Sequence, residues 1–181
     1  HLPPFGAWKS PITSDLIVAG SIGLGDVWLD GDDVCWLEMR PAEKGRAVIV
    51  RRSPGGAASD VNPPPFYVRT LAHEYGGGAV VVAGGAAVFS NFADQRLYRA
   101  APGQPPQPLT PESGLALRYA DGVLDARRNR MICVREDHTA GGEAVNTIVS
   151  LKLDGADTGT VLASGRDFVS SPRLSPDGAQ L

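Results

Sequence analysis

Val80-Val81-Val82-Ala83-Gly84-Gly85-Ala86-Ala87-Val88 places two short apolar runs on either side of a glycine pair. Runs of this length rich in valine read as strands, and a Gly-Gly step supplies the positive φ that a tight hairpin needs. The same grammar recurs three times. Val27-Trp28-Leu29-Asp30-Gly31-Asp32-Asp33-Val34 comes before it. Val123-Leu124-Asp125-Ala126-Arg127-Arg128-Asn129-Arg130-Met131-Ile132 and Pro172-Arg173-Leu174-Ser175-Pro176-Asp177-Gly178-Ala179-Gln180-Leu181 come after it. With Gly31, Gly84, Arg127 and Asp177 as turn markers, the hairpins are spaced by 53, 43 and 50 residues. Four-stranded propeller blades repeat at roughly 40–50 residues. The period predicts blades, each opened by one of these hairpins.

The remainder of each repeat supplies the missing strands. Residues 46–52 read as a third strand and 58–61 as a weaker outer one. In the second repeat the corresponding segments are 95–99 and 107–110, and in the third 146–154 and 159–163. Prolines fall in the outer strands and connections, where an edge tolerates a missing N–H. The best helical candidate, residues 68–75 ahead of Gly76-Gly77-Gly78, is short, holds β-branched residues and need be no more than a turn. The expected fold class is all-β, a partial β-propeller of about three four-stranded blades plus the start of a fourth. The expected divisions are a lead-in at 1–25, blades at 26–70, 71–115 and 116–168, and a further blade beginning at 169–181. Three blades and half a hairpin do not close a ring, and propellers protect their edges by closure. The polypeptide is therefore expected to continue, the alternative being self-association of copies through the open blade edges.

Composition narrows the function. The 181 residues are 43% hydrophobic and 20% charged, with 17 basic against 20 acidic side chains. A pI near 5.6 offers no basic footprint for nucleic acid. No apolar stretch approaches the ~20 residues that span a bilayer. The 22 glycines and 15 prolines make up about a fifth of the chain, which leaves room only for short elements. Cys35 and Cys133 sit inside apolar strand-like runs without a second Cys or a His at ligand spacing, so they read as small buried hydrophobes rather than metal ligands. The opening His1-Leu2-Pro3-Pro4-Phe5 lacks the charged and apolar regions of a signal peptide, which points to a cytoplasmic location.

The chain holds no Gly-x-Ser-x-Gly elbow, no His-Glu-x-x-His, no phosphate loop and no Cys-x-x-Cys pair. No catalytic residue, cofactor or metal site is expected. Two polar segments stand out: residues 68–78, containing His73 and Glu74, and Arg135-Glu136-Asp137-His138 directly after an apolar strand. One account makes them turn-forming clusters whose carboxylates bond backbone N–H groups or arginines between blades. The other places them at loop ends facing the tunnel or a neighbouring domain, with His73, Glu74, Arg135 and Glu136 as substrate contacts. A metal held by His73 with Glu74, or by Asp137 with His138, is disfavoured because adjacent strand residues face opposite ways.

Several stretches together resemble one family. They are Pro4-Phe5-Gly6-Ala7-Trp8-Lys9-Ser10-Pro11-Ile12-Thr13, Arg69-Thr70 with His73-Glu74-Tyr75-Gly76-Gly77-Gly78, and Phe89-Ser90-Asn91-Phe92-Ala93-Asp94-Gln95-Arg96-Leu97-Tyr98. Leu117-Arg118-Tyr119-Ala120-Asp121-Gly122, Arg135-Glu136-Asp137-His138 and Ser170-Ser171-Pro172-Arg173-Leu174-Ser175-Pro176-Asp177-Gly178 complete the series. In this order they resemble the N-terminal propeller of bacterial prolyl-oligopeptidase-family (S9) serine peptidases, of the acylaminoacyl peptidase and dipeptidyl aminopeptidase kind. The resemblance implies a C-terminal α/β-hydrolase domain in the same polypeptide, carrying the Ser, Asp and His absent here, and a propeller that gates and selects oligopeptides or acylated peptides. It also implies, for some members, an acidic pair on the propeller side that holds a substrate's free amino terminus. That pair does not map residue by residue, and Glu74 and Glu136 are its candidates. Two other readings stand beside this one. The first is a stand-alone TolB-like propeller binding a protein or peptide; the second is a propeller lactonase, which would need several convergent carboxylates and histidines.

Overall fold

Hairpins dominate because the turn residues force reversals every few residues while the runs between them are too short for helices. In the computed structural model, which describes residues 4–18 and 20–181, twelve strands form three four-stranded antiparallel sheets. The first sheet contains β1 (Gly23–Asp30), β2 (Asp33–Arg40), β3 (Arg46–Arg52) and β4 (Ser59–Asp60). The second contains β5 (Val80–Ala83), β6 (Ala86–Ser90), β7 (Leu97–Ala100) and β8 (Gln107–Pro108). The third contains β9 (Leu117–Asp125), β10 (Arg130–Asp137), β11 (Val145–Lys152) and β12 (Thr160–Ala163). Within each sheet the strands neighbour one another in chain order, the meander of a propeller blade. The chain is a partial β-propeller.

The helical candidate resolves as the turn that its residues allow. Residues 68–75 form no helix; they contain a turn at 72–75. The described helix lies instead at Ser14–Val18 (α1), where Thr13 Oγ1 accepts the Leu16 N–H at 3.1 Å as an N-cap. His1, Leu2, Pro3 and Ala19, which belong to the expected lead-in, lie outside the described residues. Residues 172–181 build the Ser-Pro-Asp-Gly turn, with Asp177 Oδ1 accepting from Ser175 Oγ and Ala179 N–H, but they enter no sheet.

Apolar cores fill the spaces between blades. Ile49, Ala47 and Cys35 of the first sheet meet Phe89, Ala87 and Tyr98 of the second. Val88, Leu97 and Leu109 meet Tyr119, Met131, Cys133 and Val149 of the third. Both cysteines are free and buried, and burial pushes the Cys133 thiol well above its ordinary range.

Polar joints fix the angle between blades. Asp30, at the end of β1, accepts the N–H groups of Gly84 and Gly85 at 2.8 Å each, and Arg51 bridges Asp30 and the Gly85 carbonyl. Asp121 on β9 does the same for its neighbours, accepting from Gly78 N–H at 2.7 Å and Ser171 N–H at 3.0 Å. Asp30→Ala is expected to lower stability by about 2–4 kcal/mol, because it leaves Arg51 without its closest carboxylate and two turn N–H groups unpaired. Urea unfolding checks this; a loss below ~0.5 kcal/mol would mean that solvent replaces the joint.

Candidate functional site

One cleft, of about 890 Å³, gathers most of the suspicious polar residues at the end of the blades where β10 meets the β4–β5 connection. Its walls come from His73, Glu74 and Tyr75 of that connection, from Glu136 of β10 and His138 just after it, and from the stretches 142–146 and 165–168.

The local chain path explains why these side chains converge. His73 and Glu74 both take left-handed backbone conformations, φ 59° and 60°, although neither is glycine. Non-glycine residues in that region carry a strain of about 1–3 kcal/mol each and persist only when neighbours hold them. Here the hold is complete on three sides. Gln95 Oε1 accepts the Leu71 N–H at 2.7 Å, Arg118 donates to the Leu71 carbonyl, and Glu136 Oε1 accepts the His73 N–H at 3.0 Å. The chain then leaves through Gly77 and Gly78, whose missing side chains let it pass β9. A Cβ at either position would approach Ala120 or Asp121 to 3.0 Å.

Glu136 is the centre of the cluster. Its side chain is only 5% exposed, and its Oε2 meets His138 Nε2 at 3.0 Å and Arg118 Nη1 at 3.5 Å. Arg118 enters because β9 pairs with β10 in a register that sets it directly across from Glu136. The same guanidinium nitrogen bonds Glu74 Oε1 at 2.7 Å and holds that carboxyl below the usual carboxylate range. His73 packs its ring against Phe168, with centroids 6.2 Å apart, and neither of its ring nitrogens has a hydrogen-bond partner. Tyr75 is almost wholly exposed at the rim.

The four sequence candidates thus separate. His73, Glu74 and Glu136 meet in the cleft. Arg135 does not: it alternates to the other face of β10 and donates to the Thr158 carbonyl, at 3.1 Å, and to that of Gly159. Arg118 and His138 belong to the cluster but were not among the sequence candidates for substrate contact. The i, i+2 spacing of Glu136 and His138 was the available signal for His138; Arg118 had none until the strand register was known.

Ligand atoms of Glu74, Glu136 and His138 lie within 4.8 Å of one another, a spacing that a metal ion would accept. The pairs weighed from sequence, His73 with Glu74 and Asp137 with His138, are not the ones that converge. Arg118 already stands between the two carboxylates, so the two acids and one guanidinium leave a single net negative charge. A divalent ion would overshoot that charge beside a fixed guanidinium, whereas one monovalent ammonium balances it.

No protein-family model and no curated protein matches the chain. Solved structures do. A puromycin-hydrolysing peptidase of Mycobacterium tuberculosis superposes with a TM-score of 0.87 at 36% identity, covering 97% of this chain and 29% of that one. A puromycin hydrolase, and a serine-to-alanine mutant of it complexed with PGG, each give a TM-score of 0.86 at 39% identity, covering 97% of this chain and 30% of theirs. The chain therefore spans less than a third of the length of the peptidases it matches. It is similar over nearly its whole length to one portion of puromycin-hydrolysing peptidases, and with its three blades it is a relative of the propeller portion of prolyl-oligopeptidase-family (S9) peptidases.

Proposed function

We propose that this chain is the substrate-gating and substrate-selecting propeller portion of a serine peptidase, and that its cleft holds the free amino end of a peptide. The observation that carries this reading is the buried Glu136, tied to Arg118, Glu74 and His138 so that the group offers one unbalanced negative charge in an open cleft. An α-ammonium carries one positive charge and three N–H donors, which match two carboxylates. Of the substrate classes implied by the family, unblocked oligopeptides fit this charge better than acylated ones. The nucleophile belongs, in this proposal, to a C-terminal α/β-hydrolase domain of the same polypeptide. The coverage of only 29–30% of the related peptidases supports that assignment.

The test begins with the intact mass of the native product, followed by labelling with a serine-directed fluorophosphonate. A product several hundred residues longer that labels, and that prefers phenylalanyl-glycinamide to its N-acetyl form, is the expected result. A native product ending near Leu181 that does not label would overturn the peptidase reading and leave a binding propeller. Equal handling of free and acetylated probes would overturn the amine site alone.

A further inference from the structure

His138 touches Glu136, the buried carboxylate at the centre of the amine site, and the contact has a direction. An ionised carboxylate has no proton to give, so Nε2 of His138 carries the hydrogen that meets Glu136 Oε2 at 3.0 Å. The second ring nitrogen is the place left for a further proton. Taking up that proton adds a full positive charge next to Glu136 without breaking the existing bond. The two carboxylates, Arg118 and a charged imidazole then sum to zero, and the attraction of this cluster for an ammonium is lost.

The other charged groups around His138 do not offset this change. Glu74 and Arg118, from the β4–β5 connection and β9, are already bonded to each other at 2.7 Å. Asp137, beside it on β10, is engaged by the Thr139 hydroxyl at 2.6 Å and lies 3.8 Å from Arg135. Burial works to raise the Asp137 carboxyl, but the two Thr139 bonds and the charges of Arg135 and His138 hold it below its usual range. Glu143 of the β10–β11 hairpin, and Arg166 and Asp167 after β12, line the cleft, and among the described residues none makes a hydrogen bond or ion pair to His138. His73, from the connection, also faces Glu136, with Nδ1 4.0 Å from Oε1.

We propose that His138 is a positioning residue that makes the amine site sensitive to acid: neutral, it orients Glu136 toward an ammonium; protonated, it cancels the charge that attracts one. The inference rests on the amine site proposed above.

The test measures Kd for phenylalanyl-glycinamide and for its N-acetyl form on the intact polypeptide carrying these residues, between about pH 5 and 7. Over that window an ordinary α-amino group stays charged and ordinary carboxylates stay ionised, while imidazoles change charge. The expected result is affinity for the free amine that falls about tenfold from pH 7 to pH 5, as for one unit charge a few ångströms away after screening. His138→Gln, which keeps an N–H donor but does not titrate, is expected to change less than about twofold over the same window. His73→Gln is expected to retain the tenfold fall, and thermal melts of both variants confirm folding. Selective amine binding that does not change with pH, or a His138→Gln variant that keeps the fall, overturns the role of His138 and leaves the amine site standing. Equal binding of the acetylated probe, or binding of neither probe at pH 7, overturns the amine site and this inference together.

Discussion

Phe89→Ala is expected to cost about 3–5 kcal/mol of stability, the range for emptying a buried aromatic position. Phe89 lies on β6 of the middle blade and is wholly buried. Its ring meets Phe66 edge-on at 6.0 Å and stacks on Tyr98 at 6.0 Å, while Phe66 and Tyr98 approach to 4.9 Å. The triplet therefore sits where the first blade, the connection and the second blade meet. Removing the central ring leaves a cavity whose walls belong to three segments and cannot all collapse at once. Against a total stability of ~5–15 kcal/mol for a domain, this is a large fraction. Urea unfolding followed by tryptophan fluorescence reads it directly, since Trp28 packs on the same core. Phe89→Leu, which keeps most of the volume, is expected to lose less than half as much. Equal losses for the two variants would show that ring contacts, not volume, hold the joint.

Glu136→Ala is expected to have the second large effect, about 3–5 kcal/mol, the usual result of removing one member of a buried charge pair. Three groups lose their acceptor at once: the His73 N–H, the His138 imidazole and Arg118. The strained turn at His73 and Glu74 then relies on Gln95 and Arg118 alone. Glu136→Gln separates stability from recognition. It keeps the shape and one acceptor oxygen, so the fold should lose no more than about 1–2 kcal/mol. The net negative charge disappears, and affinity for a free-amino peptide should fall about a hundredfold, within the effect of removing one member of a buried charge pair. Thermal melts and isothermal titration of the two variants decide the matter. A Gln variant that binds the amine as tightly as the parent would place the recognising charge elsewhere.

How much was legible in advance differs between fold and site. Strand β3, for example, has the bounds read from the sequence, 46–52, because a run of valine and isoleucine between charged and glycine residues declares itself locally. The lead-in helix at Ser14–Val18 was not foreseen; its five residues depend on the Thr13 cap rather than on any sustained periodicity. The turn at 72–75 carries helix-compatible residues, but the φ angles of His73 and Glu74 are set by partners 20 or more positions away in the chain, Gln95, Arg118 and Glu136. Arg135 and Glu136 looked equivalent as neighbours; strand alternation sends one to the cleft and the other to a backbone carbonyl.

The amino-acid order by itself determined the hairpins, the blade period and the all-β class, because turn chemistry and strand length act over fewer than ten residues and repeat along the chain. Only the tertiary structure decided that Glu74, Arg118, Glu136 and His138 share one charge balance. Strand register sets Arg118 opposite Glu136, and the docking of the β4–β5 connection onto β10 brings Glu74 to both. Register and docking are settled by packing between blades, and the sum of charges in a cleft has meaning only once distances are known.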